Sequence, residues 1–216
     1  MSIVVSSIGK LHRRFVKPKQ SDRIVDILVE LLPEQGKVLD VGCGTGKISR
    51  LIQERNPKLS VEGIDVLVQA KAEIDVKQFD GANIPFNDGV FEAVIFIDVL
   101  HHTNNHAQLL KEALRVSKSD VIVKDHICDG HIAFWTLAFM DWVGNSSLGI
   151  RSVHSYLSKE QWTRLFREIG VTEPETMTVT GLYPFPFSLV FERDKQVIFR
   201  FFTLNGVGER INKGDV

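Results

Sequence analysis

Three groups of residues have the type and spacing to do chemistry. The first is Asp40-Val41-Gly42-Cys43-Gly44-Thr45-Gly46, which follows the apolar run Val38-Leu39 and precedes an amphipathic stretch. Glycines in such a loop permit positive backbone dihedrals and let a ligand approach the main chain. A helix opening behind the loop points free N–H groups into it. The second group is a pair of acids, Asp65 and Asp80, each at the end of a short apolar run. The third is Asp98, His101 and His102, with Asp125 and His126 further on, after two more such runs. Histidine is the natural general base near neutral pH, and His126 is the leading candidate, followed by His101.

Several chemistries are excluded by spacing. A dinucleotide fingerprint needs G-x-G-x-x-G, and here the third glycine, Gly46, comes one residue early. A phosphate loop needs glycine where Val41 stands and Ser or Thr where Ile48 stands, and Asp40 sets a carboxylate beside the loop. His102 and His106 have the i,i+4 spacing of helical metal ligands. No Glu follows the first His and no third ligand is visible, so no metal site is expected. Cys43 and Cys128 form neither a metal spacing nor a disulfide framework, and they suit a reducing cytoplasm.

Short apolar runs alternate with amphipathic stretches from Lys37 onward. Strands are predicted at 38–41, 60–64, 76–79, 93–97 and 121–123, each ending near one of the polar groups named above. Helices are predicted over 47–55, 107–115 and 158–169. The last has Ser158 and Gln161 at capping-box spacing and Gly170 as its stop. Alternation of this kind gives a doubly wound, mostly parallel sheet, and the continuous apolar runs indicate strands buried on both faces. Residues 171–180 and 188–191 are read as a closing antiparallel pair of strands around Pro184 and Pro186.

Residues 38–46, Gly63-Ile64-Asp65, 79–86, 91–97 and Val99-Leu100-His101-His102 together resemble the class I S-adenosylmethionine-dependent methyltransferases that modify small molecules. The resemblance runs from about residue 37 to 123. It implies a seven-stranded Rossmann-like sheet with an antiparallel last strand, and S-adenosyl-L-methionine as cofactor. It also implies roles. Gly42, Cys43, Gly44 and Gly46 would bring main chain to the methionine part, and Asp40 would orient the loop or the ammonium group. Asp65 would accept from the ribose hydroxyls and Asp80 from the adenine amine, with Gly81 or Ala82 donating. Val66 and Ile84 would sandwich the ring, and Ile97 and Asp98 would line the cavity near the sulfonium. The interval from Asp65 to Asp80 is short for the family and leaves room for a helix of about two turns. The Asn-Pro-Pro-aromatic tetrad of some amino-methylating relatives is absent; that place reads Asp98-Val99-Leu100-His101.

The chain of 216 residues fits one domain, and its net charge of -1 gives no general attraction to nucleic acid. The basic stretch 10–19 is read as a solvated face. No apolar run is long enough to span a membrane, the start lacks a signal-peptide pattern, and a cytoplasmic location is expected. Residues 1–20 and 127–157 are left over from the core and are read as a lid carrying acceptor specificity. Phe134, Trp135, Leu137, Ala138 and Trp142 are too apolar for a free helix, and Leu11, Phe15 and Val16 would cover them. The aromatics of 127–157, with Phe185 and Phe187, form either an apolar acceptor pocket or the core of the insertion. The expected activity is methyl transfer to oxygen or carbon of a lipid-like or aromatic small molecule. A nucleic-acid or protein methyltransferase and a non-catalytic cofactor-binding subunit remain as alternatives.

Overall fold

The computed structural model describes residues 17–145, 154–185, 188–192 and 195–202. Seven strands form one sheet: β1 (Gly36–Val41), β2 (Leu59–Asp65), β3 (Val76–Gln78), β4 (Phe91–Ile97), β5 (Ser117–His126), β6 (Glu175–Thr178) and β7 (Gln196–Phe202). Their spatial order is β3-β2-β1-β4-β5-β7-β6. The first five are parallel, and β7 runs antiparallel between β5 and β6. The strand order reverses at β1, whose neighbours are β2 and β4, so a crevice opens beyond the carboxyl ends of β1 and β4.

Alternating side chains sort the strands into two faces. Leu39, Val94, Phe96, Val121, Val123 and Phe199 pack under α3 (His106–Val116) and α5 (Lys159–Glu168). Val38, Ala93, Ile95, Ile122 and Ile198 pack under α1 (Lys17–Leu31) and α2 (Lys47–Arg55). Phe91, Phe96 and Phe201 are fully buried, and truncating any one of them to Ala would cost about 3–5 kcal/mol. Arg200 on β7 donates to Asp120 on β5 at 2.9 Å, an ion pair inside the antiparallel seam.

Local signals explain the helix ends. Helix α2 closes at Asn56-Pro57, and α5 opens on the full Ser158–Gln161 capping box and stops at Gly170, whose φ is 82°. Three readings are corrected. Residues 66–75 contain no helix at all, because only ten residues must travel from one strand end to the next. Ser188–Phe191 is not a strand but the short helix α6; the closing strand is 196–202, and the 171–180 strand shrinks to four residues. Helix α1 went unread, although Ile24, Val25, Ile27 and Leu28 lie at helical spacing and bury its inner face. Arg55 of α2 reaches Asp22 and Asp26 of α1 and ties the two helices together.

Candidate active site

The glycine loop is shaped by its own hydrogen bonds. Gly42 N–H and Cys43 N–H both donate to the Ile64 carbonyl, at 2.7 and 3.2 Å, and Gly46 N–H donates to the Cys43 carbonyl at 2.8 Å. Gly42, Gly44 and Gly46 all have positive φ, but they differ in what a side chain would meet. A Cβ on Gly42 would strike Val99 at 2.6 Å and one on Gly46 would strike Ile74 at 2.2 Å, so these two glycines serve packing. A Cβ on Gly44 meets nothing within 4 Å; this glycine faces the open crevice, a cradle that any side chain would fill. Cys43 is turned inward, its thiol packed over Gly63, with burial and the charges of Asp40 and Asp65 holding it protonated.

The acids of the loop region take separate tasks. Asp40 is buried and accepts from Ser49 Oγ at 2.5 Å, holding the first turn of α2 against β1. Burial, opposed by Ser49 and assisted by the Asp65 charge, raises its pKa to about 7. Asp65 uses one oxygen for Gly44 N–H at 2.8 Å and the other for Leu67 N–H at 2.9 Å, which staples the loop to the end of β2. Each oxygen keeps acceptor capacity, the property a vicinal diol requires. Next to it, Val66, Leu67 and Val68 are exposed apolar side chains, and Val66 lies 3.0 Å from a Cβ built on Gly81. Asp80 accepts from Ala82 N–H, Asn83 N–H and the Asn83 side chain, which lowers its pKa. The Ala82 amide is thus committed to this turn, and Gly81 is the remaining backbone candidate. Ile84 is packed in the core and is no open wall for a ring, so Val66 alone of the two faces the crevice.

A polar cluster stands beyond β4 and β5. Asp98, just past Ile97, has φ 57°, an uncommon conformation for a residue with a side chain. Its backbone N–H donates to the Lys124 carbonyl at 2.8 Å, and its carboxylate meets Lys124 Nζ at 2.5 Å. Lys124 is buried and also donates to Gln196 at 2.6 Å. Burial works against the Asp98 charge, but Lys124 and His126 outweigh it and lower its pKa. Asp125 is the hub. One oxygen accepts from the backbone N–H groups of Leu100 and His101, at 2.9 and 3.3 Å, and so caps the 3-10 turn Leu100–His102. The other meets His101 Nδ1 at 2.8 Å and His126 Nδ1 at 3.2 Å.

The two candidate bases diverge in charge. Burial disfavours the cationic form of His101, yet Asp125 overcomes this and raises its pKa to about 10. His101 is therefore an ion-pair partner that holds Asp125 and the turn. Burial and the Lys124 charge lower the pKa of His126, so its ring is neutral and able to accept a proton. With Nδ1 directed at Asp125 and Asp98, at 3.2 and 3.7 Å, the basic nitrogen is Nε2. Trp162 Nε1 donates to the His126 carbonyl at 3.0 Å and fixes the end of β5.

Asp98, Lys124, His126 and Gln196 line a cavity of about 170 Å³. Helix α1 contributes Gln20 and Ile24, helix α4 (His131–Asn145) contributes Leu137, Met140 and Asp141, and His101, His102, Tyr156, Leu182 and Tyr183 complete it. The wall is more polar than the aromatic content of 127–157 suggests. Trp135 and Phe185 are 70% and 78% exposed and belong neither to the pocket nor to a core. Leu11, Phe15, Val16 and Phe187, and the Trp142 side chain, lie outside the described residues. Sequence reasoning missed Asp141, Lys124 and Gln196 as cavity residues, whereas Tyr156 belongs to the aromatics of 127–157 it read as a candidate pocket. Lys124 alone left a trace, as a charged residue at the end of an apolar run.

Family comparison decides what this geometry belongs to. The profile of the methyltransferase domain matches residues 11–172. The chain belongs to that family. This methyltransferase is 26% identical over 192 residues to the demethylmenaquinone methyltransferase of Thermotoga maritima, covering 76% of this chain and 83% of that one. It is 35% identical over 115 residues to a ubiquinone/menaquinone biosynthesis C-methyltransferase of Desulfotalea psychrophila, 49% of this chain and 43% of the relative. Among solved structures, an S-adenosylmethionine-dependent methyltransferase of Thermotoga maritima matches with a TM-score of 0.61 at 19% identity, covering 89% and 92% of the two chains. A geranyl diphosphate methyltransferase solved with GPP and sinefungin matches with a TM-score of 0.62 at 15% identity, covering 83% and 77%. The fold is the Rossmann-like methyltransferase fold, and S-adenosylmethionine is the cofactor of the methyltransferase. The open cradle at Gly44, the unsaturated Asp65 carboxylate and the exposed Val66 fit it.

Proposed function

We propose that this methyltransferase acts on carbon or oxygen of a small aromatic or lipid-like acceptor whose reacting end is polar. The observation that carries the reading is the cavity beyond the carboxyl ends of β4 and β5. His126, Asp98 and Lys124 gather at one part of it, and Ile24, Leu137, Met140 and Leu182 supply apolar wall. Relatives named for demethylmenaquinone and quinone methylation support an acceptor of that class. The matches to ribosomal RNA methyltransferases span only about a third of this chain, for example 87 residues and 36%, and favour no second reading.

When bound, the cofactor supplies an electrophilic methyl group on sulfur. The chain does the rest. Asp65, Gly44 and the Val66 shelf hold the cofactor, and the α1 and α4 walls keep water from the cavity. His126 Nε2 takes the proton of an acceptor hydroxyl, and Asp125 and Asp98 stabilise the imidazolium that forms. Lys124, between Asp98 and Gln196, holds the acid in place. Positioning accounts for much of the rate, and a general base adds about 10²–10⁴-fold.

Labelled S-adenosylmethionine offered with a panel of phenols, naphthoquinols and cell-extract fractions tests the reading. Label is expected in a small organic molecule. Label found only in RNA or protein would sink it. His126→Gln is expected to lower kcat about 10²-fold or more with cofactor affinity unchanged, the scale of a lost general base. An unaltered kcat would remove His126 from the chemistry.

A further inference from the structure

Three side chains in the cavity point their ligand atoms at one another without touching. His101 Nε2 and His102 Nε2 each lie 3.9 Å from Asp141 Oδ1, too far for hydrogen bonds. All three atoms fall within 4.8 Å of one another. Nitrogen and oxygen ligands about 2.0–2.1 Å from a tetrahedral ion sit roughly 3.3 Å apart, so small side-chain movements would close this set around a cation. The second layer is also built. Asp125 accepts from His101 Nδ1 at 2.8 Å, which fixes the ring and leaves Nε2 as the ligand atom once an ion displaces its proton, the carboxylate–histidine arrangement common behind bound metals. Tyr156 stacks on the His101 ring at 5.2 Å and hydrogen-bonds Asp141. His102 is otherwise uncommitted: its Nδ1 is buried with no hydrogen-bond partner among the described residues.

We infer that His101, His102 and Asp141 form a binding site for a divalent first-row transition ion, with Zn²⁺ as its representative. Two imidazoles and one carboxylate suit such an ion better than Mg²⁺ or Ca²⁺, which prefer all-oxygen sets. The other cluster of suitable residues, His101, Asp125 and His126, is already closed by direct hydrogen bonds and leaves no gap for an ion. With three protein ligands, a fourth position stays open toward the cavity that all three residues line. The site does not depend on which acceptor is methylated. The sequence hid it because Asp141 lies about forty residues beyond the histidine pair, on a helix whose approach only the fold creates.

The test uses the full chain stripped with a chelator. Zn²⁺ uptake is followed by equilibrium dialysis with elemental analysis, and Co²⁺ by its visible absorption. One equivalent of either ion is expected. Asp141→Asn and His102→Ala are each expected to weaken Zn²⁺ binding at least about 100-fold, and Asp125→Asn about 10–100-fold through the His101 ring. His126→Gln should leave the affinity as it was. Circular dichroism of each variant separates loss of the site from loss of the fold. No saturable uptake by the native chain would overturn the inference. So would uptake that survives in both Asp141→Asn and His102→Ala, or a loss in His126→Gln as large as in Asp141→Asn.

Discussion

Three glycines of the loop show how one motif divides between packing and open space. Gly42 and Gly46 are held by Val99 and Ile74, whereas Gly44 has positive φ and open space in front of it. Gly44→Val is therefore expected to fold with some backbone strain and to lose S-adenosylmethionine binding, measured by calorimetry; normal affinity would move the cofactor elsewhere. Asp65→Ala removes an acceptor for two ribose hydroxyls and also frees the Gly44 amide, so affinity should fall by about 1.5–3 kcal/mol. Asp40 gives a pH prediction. Its folded pKa, about 7, lies above the ordinary 3.8, so the native chain holds a proton that the unfolded chain releases. Its contribution is greatest below the unfolded value and is lost as pH rises through about 7. Tm should decline between pH 5 and 8 relative to Asp40→Asn, in which that part of the slope is absent. A cationic cofactor beside Asp40 favours the ionised form, so affinity should rise over the same interval and do so less in Asp40→Asn.

Elements put these residues in place, and the antiparallel seam is the most exposed to damage. Arg200→Met would leave Asp120 buried without its guanidinium, while Ser119 Oγ still donates at 2.9 Å. The expected loss is about 3 kcal/mol, the low end for a broken buried pair, readable by urea denaturation. The same seam marks where sequence reading stopped. Parallel strands β1, β4 and β5 are legible because both their faces are buried, which writes continuous apolar runs; β2 instead alternates, with Ser60 exposed and Glu62 part-buried. Strand β7 is apolar as well, but the Pro184–Pro186 region and a four-residue helix precede it, and the short run Ser188–Phe191 imitates a strand. The acids expected to hold the cofactor were legible because each lies at or near a strand end. The Asp125–His101 ion pair was visible only as two residues of suitable type; their 2.8 Å approach comes from the pairing of β4 with β5.

At the scale of the molecule, the cavity is lined by α1, which also packs on the sheet, and by α4. Helix α1 contributes Gln20 and Ile24, and α4 contributes Leu137, Met140 and Asp141. As a lid, these segments would exclude water and open for exchange. Hydrogen exchange should show residues 17–24 and 131–141 gaining protection when S-adenosylhomocysteine binds; full protection without ligand, unchanged by it, would make them static core. Deleting residues 1–18 should reduce acceptor turnover much more than Tm.

The sheet order has a further consequence, for how copies of this chain meet. Its outermost described strands are β3, with three residues, and β6, with four, the latter polar and exposed at Glu175, Thr176 and Thr178. Strands this short offer few free N–H and C=O groups in register, so neither border can template an added strand from another molecule. Ile132, Trp135 and Phe139 expose an apolar stripe along one face of α4, while Val66, Leu67, Val68, Met177 and Phe185 are exposed outside the helices. Crowding or partial heating therefore exposes this chain to side-chain adhesion rather than to fibril growth from its edges.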